Sequence, residues 1–108
     1  MGKRATIFVD SGFRRGTDVV KALALGAHAV MVGRSTLYGV AAGGEDGAAR
    51  ALEIFREEIS RVLALLGCCG IADLGPQYLQ FVDPHLRPAT LPRPELRSVA
   101  DTKAAAKA

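Results

Sequence analysis

The sequence lacks any apolar run long enough to span a bilayer and any leader with a basic start and an apolar middle. We therefore expect a cytoplasmic location. The only cysteines, Cys68 and Cys69, are adjacent, and adjacent cysteines rarely bridge each other. Because there is no second pair for a metal site or a disulfide framework, we expect them to lie in a buried or half-buried turn in a reducing compartment.

The sequence also lacks the residue combinations that carry catalysis. It contains no nucleophile beside a base, no cluster of metal ligands and no paired carboxylates. His28 has no Cys, Asp or second His beside it at ligand spacing, so we expect it to be structural or exposed. His85 falls near the C-terminus and is expected to be inert. We therefore predict no catalytic residue and no metal site.

A uniformly basic surface is absent as well. The 108 residues suffice for one small domain and carry a formal charge of +3. Residues 1–84 contain nine basic and nine acidic side chains. The excess of positive charge therefore comes from residues 85–108, which contain five basic and two acidic residues. No aromatic residues alternate with these charges and no basic helix face is present, so we predict a solvated tail and no nucleic-acid binding.

The first third of the chain has the pattern of a strand, a turn, a helix and a second strand. Ala5–Val9 and Ala29–Val32 are short apolar runs, typical of strands buried on both faces of a parallel sheet. Thr17 is a suitable N-cap for a helix over Val19–Leu25, and Gly26 is suited to end that helix. This order predicts a βαβ unit with parallel strands.

The next segment predicts a short helix, a break and a long helix. Ser35–Ala42 is helical in pattern, Gly43 and Gly44 break it, and Asp46 can cap a helix from about residue 48 to residue 66. Apolar residues recur along the long helix at helical spacing, which predicts one face buried, with the sheet as the nearest partner. These residues are Leu52, Phe55, Ile59, Val62, Leu63 and Leu66.

The last part of the chain carries weaker signals. A further helical piece is expected around Ile71–Leu79. Prolines are frequent from Pro84 onward, which predicts an extended or disordered basic tail over residues 83–108.

Both predicted strands run into a glycine and an arginine, at the edge where parallel α/β folds bind ligands. Gly12, Gly16 and Gly33 leave room for an anion to approach backbone N–H groups, and the following helices present further donors. Arg14 and Arg34 offer forked hydrogen bonds suited to phosphate. The alternative is that these glycines only make tight turns and the arginines are solvated.

Two further side chains lie close to these turns in the sequence. Asp10, at the end of the first strand, could accept hydrogen bonds from ligand hydroxyls, or it could cap the loop that follows it. Tyr38 lies in the short helix, where packing is its expected role.

Several motifs in order resemble the C-terminal part of the FMN-dependent 2-hydroxy acid dehydrogenases, a family that includes glycolate oxidase, flavocytochrome L-lactate dehydrogenase and (S)-mandelate dehydrogenase. The resemblance covers roughly residues 5–79, and the sequence of residues 11–15 is most similar to that of the mandelate dehydrogenase branch. The motifs are Asp10-Ser11-Gly12-Phe13-Arg14-Arg15-Gly16-Thr17-Asp18, Lys21-Ala22-Leu23-Ala24-Leu25-Gly26-Ala27, Val32-Gly33-Arg34, Leu37-Tyr38-Gly39 and Leu65-Leu66-Gly67-Cys68.

The resemblance implies a TIM (β/α)₈ barrel, of which residues 1–82 would supply the last two βα units. It implies that Asp10 contacts the ribityl chain of FMN and that the glycines and arginines hold its phosphate. Ser11 stands where many family members have glycine. The implied cofactor-binding residues are Asp10, Ser11, Gly12, Phe13, Arg14, Gly33 and Arg34.

The family's catalytic His-Gly-Gly-Arg motif is absent from this sequence. The resemblance therefore implies an FMN-binding part of an enzyme that oxidises (S)-2-hydroxy acids to 2-oxo acids, with the substrate held by residues outside this chain. Two strands and two or three helices would leave the edge of the sheet and the apolar face of the long helix exposed, so we expect the isolated chain to be unstable or to associate. Membrane association would be a property of the full enzyme.

Two alternatives remain open. The chain could be a non-catalytic truncated remnant, or a phosphate-binding half-barrel that needs an upstream partner chain. It could also derive from another phosphate-binding barrel, such as inosinate dehydrogenase or the flavin-dependent isopentenyl isomerase, which share the Gly-x-Arg turn.

Overall fold

The computed structural model describes residues 5–89, and its centre is a parallel βαβ unit. Strand β1 (Phe8–Asp10) pairs with strand β2 (Ala29–Met31), and Val9 lies opposite Val30. Helix α1 (Gly16–Ala24) connects the two strands. The predicted order and the parallel pairing are confirmed. The predicted burial of both strand faces is wrong for this chain, because a two-stranded sheet leaves Phe8 64% and Met31 55% exposed.

Helix α1 begins one turn earlier than the sequence predicts. Its N-cap is Arg15, and the carboxylate of Asp18 accepts hydrogen bonds from the backbone N–H groups of Arg14 and Arg15 at 3.2 and 3.1 Å. Thr17 is therefore the second residue of the helix, and its predicted capping role is wrong because the helix already begins at Gly16. Gly26 follows the helix with a φ of 108°, as predicted.

Helix α2 (Arg34–Leu66) bends at the predicted break. Gly43 and Gly44 have non-helical backbone angles, so residues 34–42 and 45–66 form two segments. The segments approach so closely that a Cβ on Gly39 would collide with the Gly47 carbonyl, and a Cβ on Gly47 would collide with the Gly39 carbonyl. The helix ends at Leu66 with Gly67 in the left-handed region, as predicted.

The small core lies between the two helices. Val19, Val20 and Ala24 of α1 are buried, as is Phe55 of α2. The prediction that the long helix packs on the sheet is therefore corrected, because α1 is its principal partner. Strands of three residues offer little surface, whereas α1 presents a row of apolar side chains.

The segment after α2 consists of 3₁₀ turns at Ile71–Asp73, Pro76–Tyr78 and Pro84–Leu86. The helical piece expected around Ile71–Leu79 is thus two separate turns. Both thiols are free and Cys68 is buried, as expected. Cys69 is exposed, so the expected buried or half-buried position is wrong for that residue. Most of the predicted tail over residues 83–108 lies outside the described residues. No helix within residues 5–89 is long and apolar enough to cross a membrane.

Apolar side chains are exposed around this core. Leu37 and Tyr38, in the first segment of α2, are 59% and 63% exposed, and Ile54 in the second segment is 42% exposed. The expected exposure is confirmed for the sheet, where Phe8 and Met31 are exposed. It is wrong for most of the apolar face of the long helix, because that face packs against α1 and Phe55 is buried. Whether the exposed surface leads to association stays a prediction.

Candidate functional site

The C-terminal ends of both strands and the N-terminus of α2 surround one open cavity of about 590 Å³. Six of the seven cofactor-binding residues named from the sequence line it. Those six are Ser11, Gly12, Phe13, Arg14, Gly33 and Arg34. The other lining residues are Met31, Val32, Ser35, Tyr38, Ala51, Ile54 and Phe55.

The turn after β1 passes through two consecutive left-handed residues. Ser11 and Gly12 have φ angles of 84° and 83°. A serine there is under backbone strain, whereas glycine adopts this conformation freely. The open space around Gly12, where no atom of residues 5–89 lies within 4 Å of an added Cβ, leaves the backbone accessible from the cavity.

The N-terminus of α2 is free to accept an anion. No side chain in the described part of the chain caps it, and no acidic residue lies in its first turn. Gly33, its N-cap, also has open space where a Cβ would lie. The first N–H groups of an uncapped helix and the positive end of its dipole attract a phosphate.

The N-terminus of α1 has no such freedom. The Gly16 N–H donates a hydrogen bond of 2.7 Å to the Glu58 carboxylate, and Asp18 holds the N–H groups before it. Gly16 was among the glycines expected to admit an anion. Its N–H is already bonded and its Cα is packed against α2, so that interpretation is wrong.

Among residues 5–89, Arg14 and Arg34 are the only charged side chains that line the cavity. Both are exposed, and neither forms an ion pair with another residue in the described part of the chain. Two guanidinium groups without an ion-pair partner, and no carboxylate in the lining among these described residues, suit a phosphate dianion. The donor set therefore fits the phosphate end of FMN.

Asp10 lies at the end of β1, exposed and outside the cavity lining. Within residues 5–89 its carboxylate accepts no hydrogen bond, because Asp18 caps the loop instead. The alternative role of Asp10 as a loop cap is therefore wrong. Its contact with a ribityl chain stays a prediction.

Two residues, Ser35 and Tyr38, have roles that sequence reasoning did not assign. Ser35 donates a hydrogen bond of 2.8 Å to the Phe13 carbonyl, and Tyr38 lines the cavity with most of its side chain exposed, where packing was expected. His28 is structural, as expected, because its Nδ1 accepts the Ile7 N–H at 3.0 Å. A hydroxyl directly after Gly33-Arg34 was the one available signal for Ser35.

Glu58 is the titratable group with the clearest local cause for a shift. The hydrogen bond from the Gly16 N–H, and after it the one from the Arg15 guanidinium, hold the pKa of Glu58 below its ordinary value. The carboxylate therefore stays ionised and keeps the start of α1 on α2.

These features define a parallel βαβ unit with one cavity at the C-terminal ends of its strands, the edge at which parallel α/β barrels bind ligands. The sequence model of the FMN-dependent dehydrogenase family matches residues 1–81 of this chain. The chain therefore belongs to that family. The predicted cofactor, FMN, is confirmed at the level of the family.

Relatives and solved structures agree. The (S)-mandelate dehydrogenase of Pseudomonas putida is 57% identical over 74 residues, which cover 68% of this chain and 19% of the relative. The crystal structure of monotopic membrane protein (S)-mandelate dehydrogenase is 56% identical, with a TM-score of 0.68 over 69% of this chain and 20% of that one. A flavocytochrome b2 variant with pyruvate bound is 42% identical, with a TM-score of 0.74 over 85% of this chain and 23% of that one. The chain thus spans about a fifth of the length of the relatives it matches.

Proposed function

We propose that this chain is the FMN-phosphate-binding part of an FMN-dependent enzyme that oxidises (S)-2-hydroxy acids to 2-oxo acids. The observation that carries the proposal is the convergence of Arg14, Arg34 and the uncapped N-terminus of α2 on one cavity. The names of the relatives, which include a mandelate dehydrogenase, support the substrate class. The chain would supply the last two βα units of a (β/α)₈ barrel.

In this proposal each part of the site has a distinct role toward the phosphate. The backbone at Gly33 and the first turn of α2 donate N–H groups, and Arg14 and Arg34 donate from their guanidinium groups. Gly12 leaves the backbone of the turn accessible to the ligand, and Ser11 and Phe13 complete the lining of the cavity. Asp10, which lies outside the cavity lining, would accept hydrogen bonds from hydroxyl groups of the ribityl chain.

FMN, when bound, supplies the hydride acceptor. The chain's own contribution is to anchor one end of the cofactor. The groups that would take the substrate proton belong to the His-Gly-Gly-Arg motif, which this sequence does not contain. Substrate and catalytic residues would therefore be supplied from outside these 108 residues.

We also propose a cytoplasmic location, which the two free thiols of Cys68 and Cys69 support because reduced cysteines persist there. The membrane attachment stated for the relative (S)-mandelate dehydrogenase would then belong to parts of an enzyme outside this chain.

The test is a titration of the purified chain with FMN, followed by quenching of flavin fluorescence, with riboflavin as the control. Riboflavin lacks only the phosphate, so a formed phosphate site should favour FMN by about 10- to 100-fold, as expected from charge-assisted hydrogen bonds. Equal affinity for both flavins would show that the cavity does not recognise phosphate.

The alternative is a non-catalytic remnant, or a half-barrel that needs an upstream partner chain. The exposure of Phe8 and Met31 beside the free strand edges favours it. Co-expression with the upstream part of a related barrel distinguishes a half-barrel from a non-catalytic remnant. A half-barrel should form a stable complex that retains FMN through gel filtration, whereas a remnant should elute alone.

A further inference from the structure

We infer that Ser35 is a positioning residue, which holds the turn over residues 11–15 against the N-terminus of α2 so that both arginines face one ligand. This inference rests on the proposed phosphate site. Its basis is the 2.8 Å hydrogen bond from the Ser35 hydroxyl to the Phe13 carbonyl, which joins two turns separated by 22 residues of chain. Among the described residues it is the only side-chain hydrogen bond between them.

The bond acts on a single peptide group. The carbonyl of the Phe13–Arg14 peptide accepts from Ser35, and the N–H of the same peptide donates to Asp18 at 3.2 Å. A peptide group is planar, so fixing both ends fixes its orientation. The direction in which the Arg14 side chain leaves the backbone is thereby restricted from both sides.

Ser35 reaches this position because of where α2 begins. Gly33 is the N-cap, so Ser35 is the second helical residue and its hydroxyl lies beside the preceding turn. The bond is partly buried, so water competes with it less than at an exposed site. The next hydroxyl, on Thr36, instead bonds the Gly33 carbonyl at 2.8 Å within its own turn.

The Ser35 hydroxyl positions other groups and does not itself bind the ligand. A serine hydroxyl has one proton, and the Phe13 carbonyl already accepts it. The remaining lone pairs can only accept, which is of no use to a phosphate dianion. Removing the hydroxyl should therefore loosen the Arg14 turn and weaken phosphate binding as a consequence.

The test compares Ser35→Ala, the hydroxyl-retaining Ser35→Thr and the control Ser60→Ala, which alters an exposed serine on α2 outside the cavity. The first readout is amide hydrogen exchange at Arg14 and Arg15 by NMR in the ligand-free chain. One hydrogen bond of ordinary strength predicts about fivefold faster exchange in Ser35→Ala, and wild-type rates in the other two variants. Unchanged exchange in Ser35→Ala, or unprotected amides in the wild type, would overturn the inference.

The second readout is the dissociation constant for FMN and for riboflavin. Ser35→Ala should weaken FMN binding about fivefold without affecting riboflavin, and Ser35→Thr should restore it. If FMN binding falls while exchange at Arg14 does not change, Ser35 is a direct ligand and the inference is wrong. If the wild type binds the two flavins equally but amide exchange at Arg14 responds to Ser35→Ala, the proposed function fails. The positioning of the turn by Ser35 is then still supported.

Discussion

The backbone N–H of Gly16 donates a hydrogen bond of 2.7 Å to the carboxylate of Glu58, 42 residues further along the chain. This contact joins the first residue of α1 to the middle of the long segment of α2. It satisfies an N–H group that would otherwise be free at the helix start. It also removes this helix start from the anion site and leaves the N-terminus of α2 as the one that faces the cavity.

The pH dependence of stability should reflect Glu58. Its pKa is lowered in the folded chain, mainly by the Gly16 N–H and then by Arg15, so the unfolded chain binds a proton more readily. The stabilisation is therefore complete above the ordinary glutamate pKa, and it is lost as the pH falls through the lower pKa of the folded state. Urea unfolding of the wild type and of Glu58→Gln, between neutral and acidic pH, measures this contribution.

Glu58→Gln keeps an acceptor for Gly16 and removes the charge. We expect the difference in unfolding free energy between the two proteins to be largest at neutral pH and to shrink in acid. Glu53→Gln is the matched control, since Glu53 is 60% exposed and bonds only Arg50 within the described residues. A difference that stays constant with pH would contradict the role assigned to the Glu58 charge.

Gly16 should not tolerate a side chain. A Cβ at this position would lie 2.5 Å from the Glu58 Cβ and 2.7 Å from the Ile59 backbone nitrogen, so the two helices would have to separate. We expect Gly16→Ala to destabilise the chain by about 1–3 kcal/mol, as overpacking does in other cores. Thermal or urea unfolding measures the loss.

Gly43→Ala is the control for that experiment. An added Cβ there meets no atom within 4 Å, and its φ of −155° is open to any residue. A change of less than about 0.5 kcal/mol is expected. Equal losses in both variants would show that the effect does not come from the contact with α2.

The sequence predicted the local elements better than their partners. The apolar runs and Gly26, Gly43 and Gly44 marked the strands, the end of α1 and the bend in α2, because these features depend on local backbone preferences. The cap of α1 was misplaced because the helix already begins at Gly16, one residue before Thr17. The spacing of Glu58 carried no sign of its bond to Gly16, which only the packing of the two helices creates.

The residues of the candidate site were likewise predictable from the sequence only in part. Arg14 and Arg34 were recognisable because each lies one or two residues after a glycine in the turn that follows a strand, and parallel pairing brings strand ends together. The contributions of Ser35 and Tyr38 depend on the three-dimensional approach of α2 to the first turn, which no local pattern records. Which of two possible helix starts remains free was likewise decided by a distant carboxylate.

Replacing Ser11 by glycine should stabilise the chain. Ser11 has a φ of 84°, in the left-handed region that costs a residue with a Cβ about 1–2 kcal/mol. Part of the gain is lost because glycine makes the unfolded chain more flexible, so we expect about 0.5–1 kcal/mol from Ser11→Gly. Ser11→Ala keeps the Cβ and should bring no gain. Stabilisation by alanine as well would mean that the hydroxyl, and not the backbone, is the source of the strain.

The charge at Arg34 should determine affinity for the phosphate of FMN. Arg34 begins α2, lines the cavity and has no ion-pair partner among residues 5–89, so its guanidinium is free for a phosphate. We expect Arg34→Ala to weaken FMN binding by about 10- to 100-fold and to leave riboflavin binding unchanged, since the lost interactions are charge-assisted hydrogen bonds to the phosphate. Arg34→Lys should fall between the two, because lysine keeps the charge without the forked donors. Arg56→Ala, an exposed arginine on α2 outside the cavity lining, should bind both flavins as the wild type does. A loss of riboflavin affinity in Arg34→Ala equal to the loss for FMN would place Arg34 against another part of the flavin.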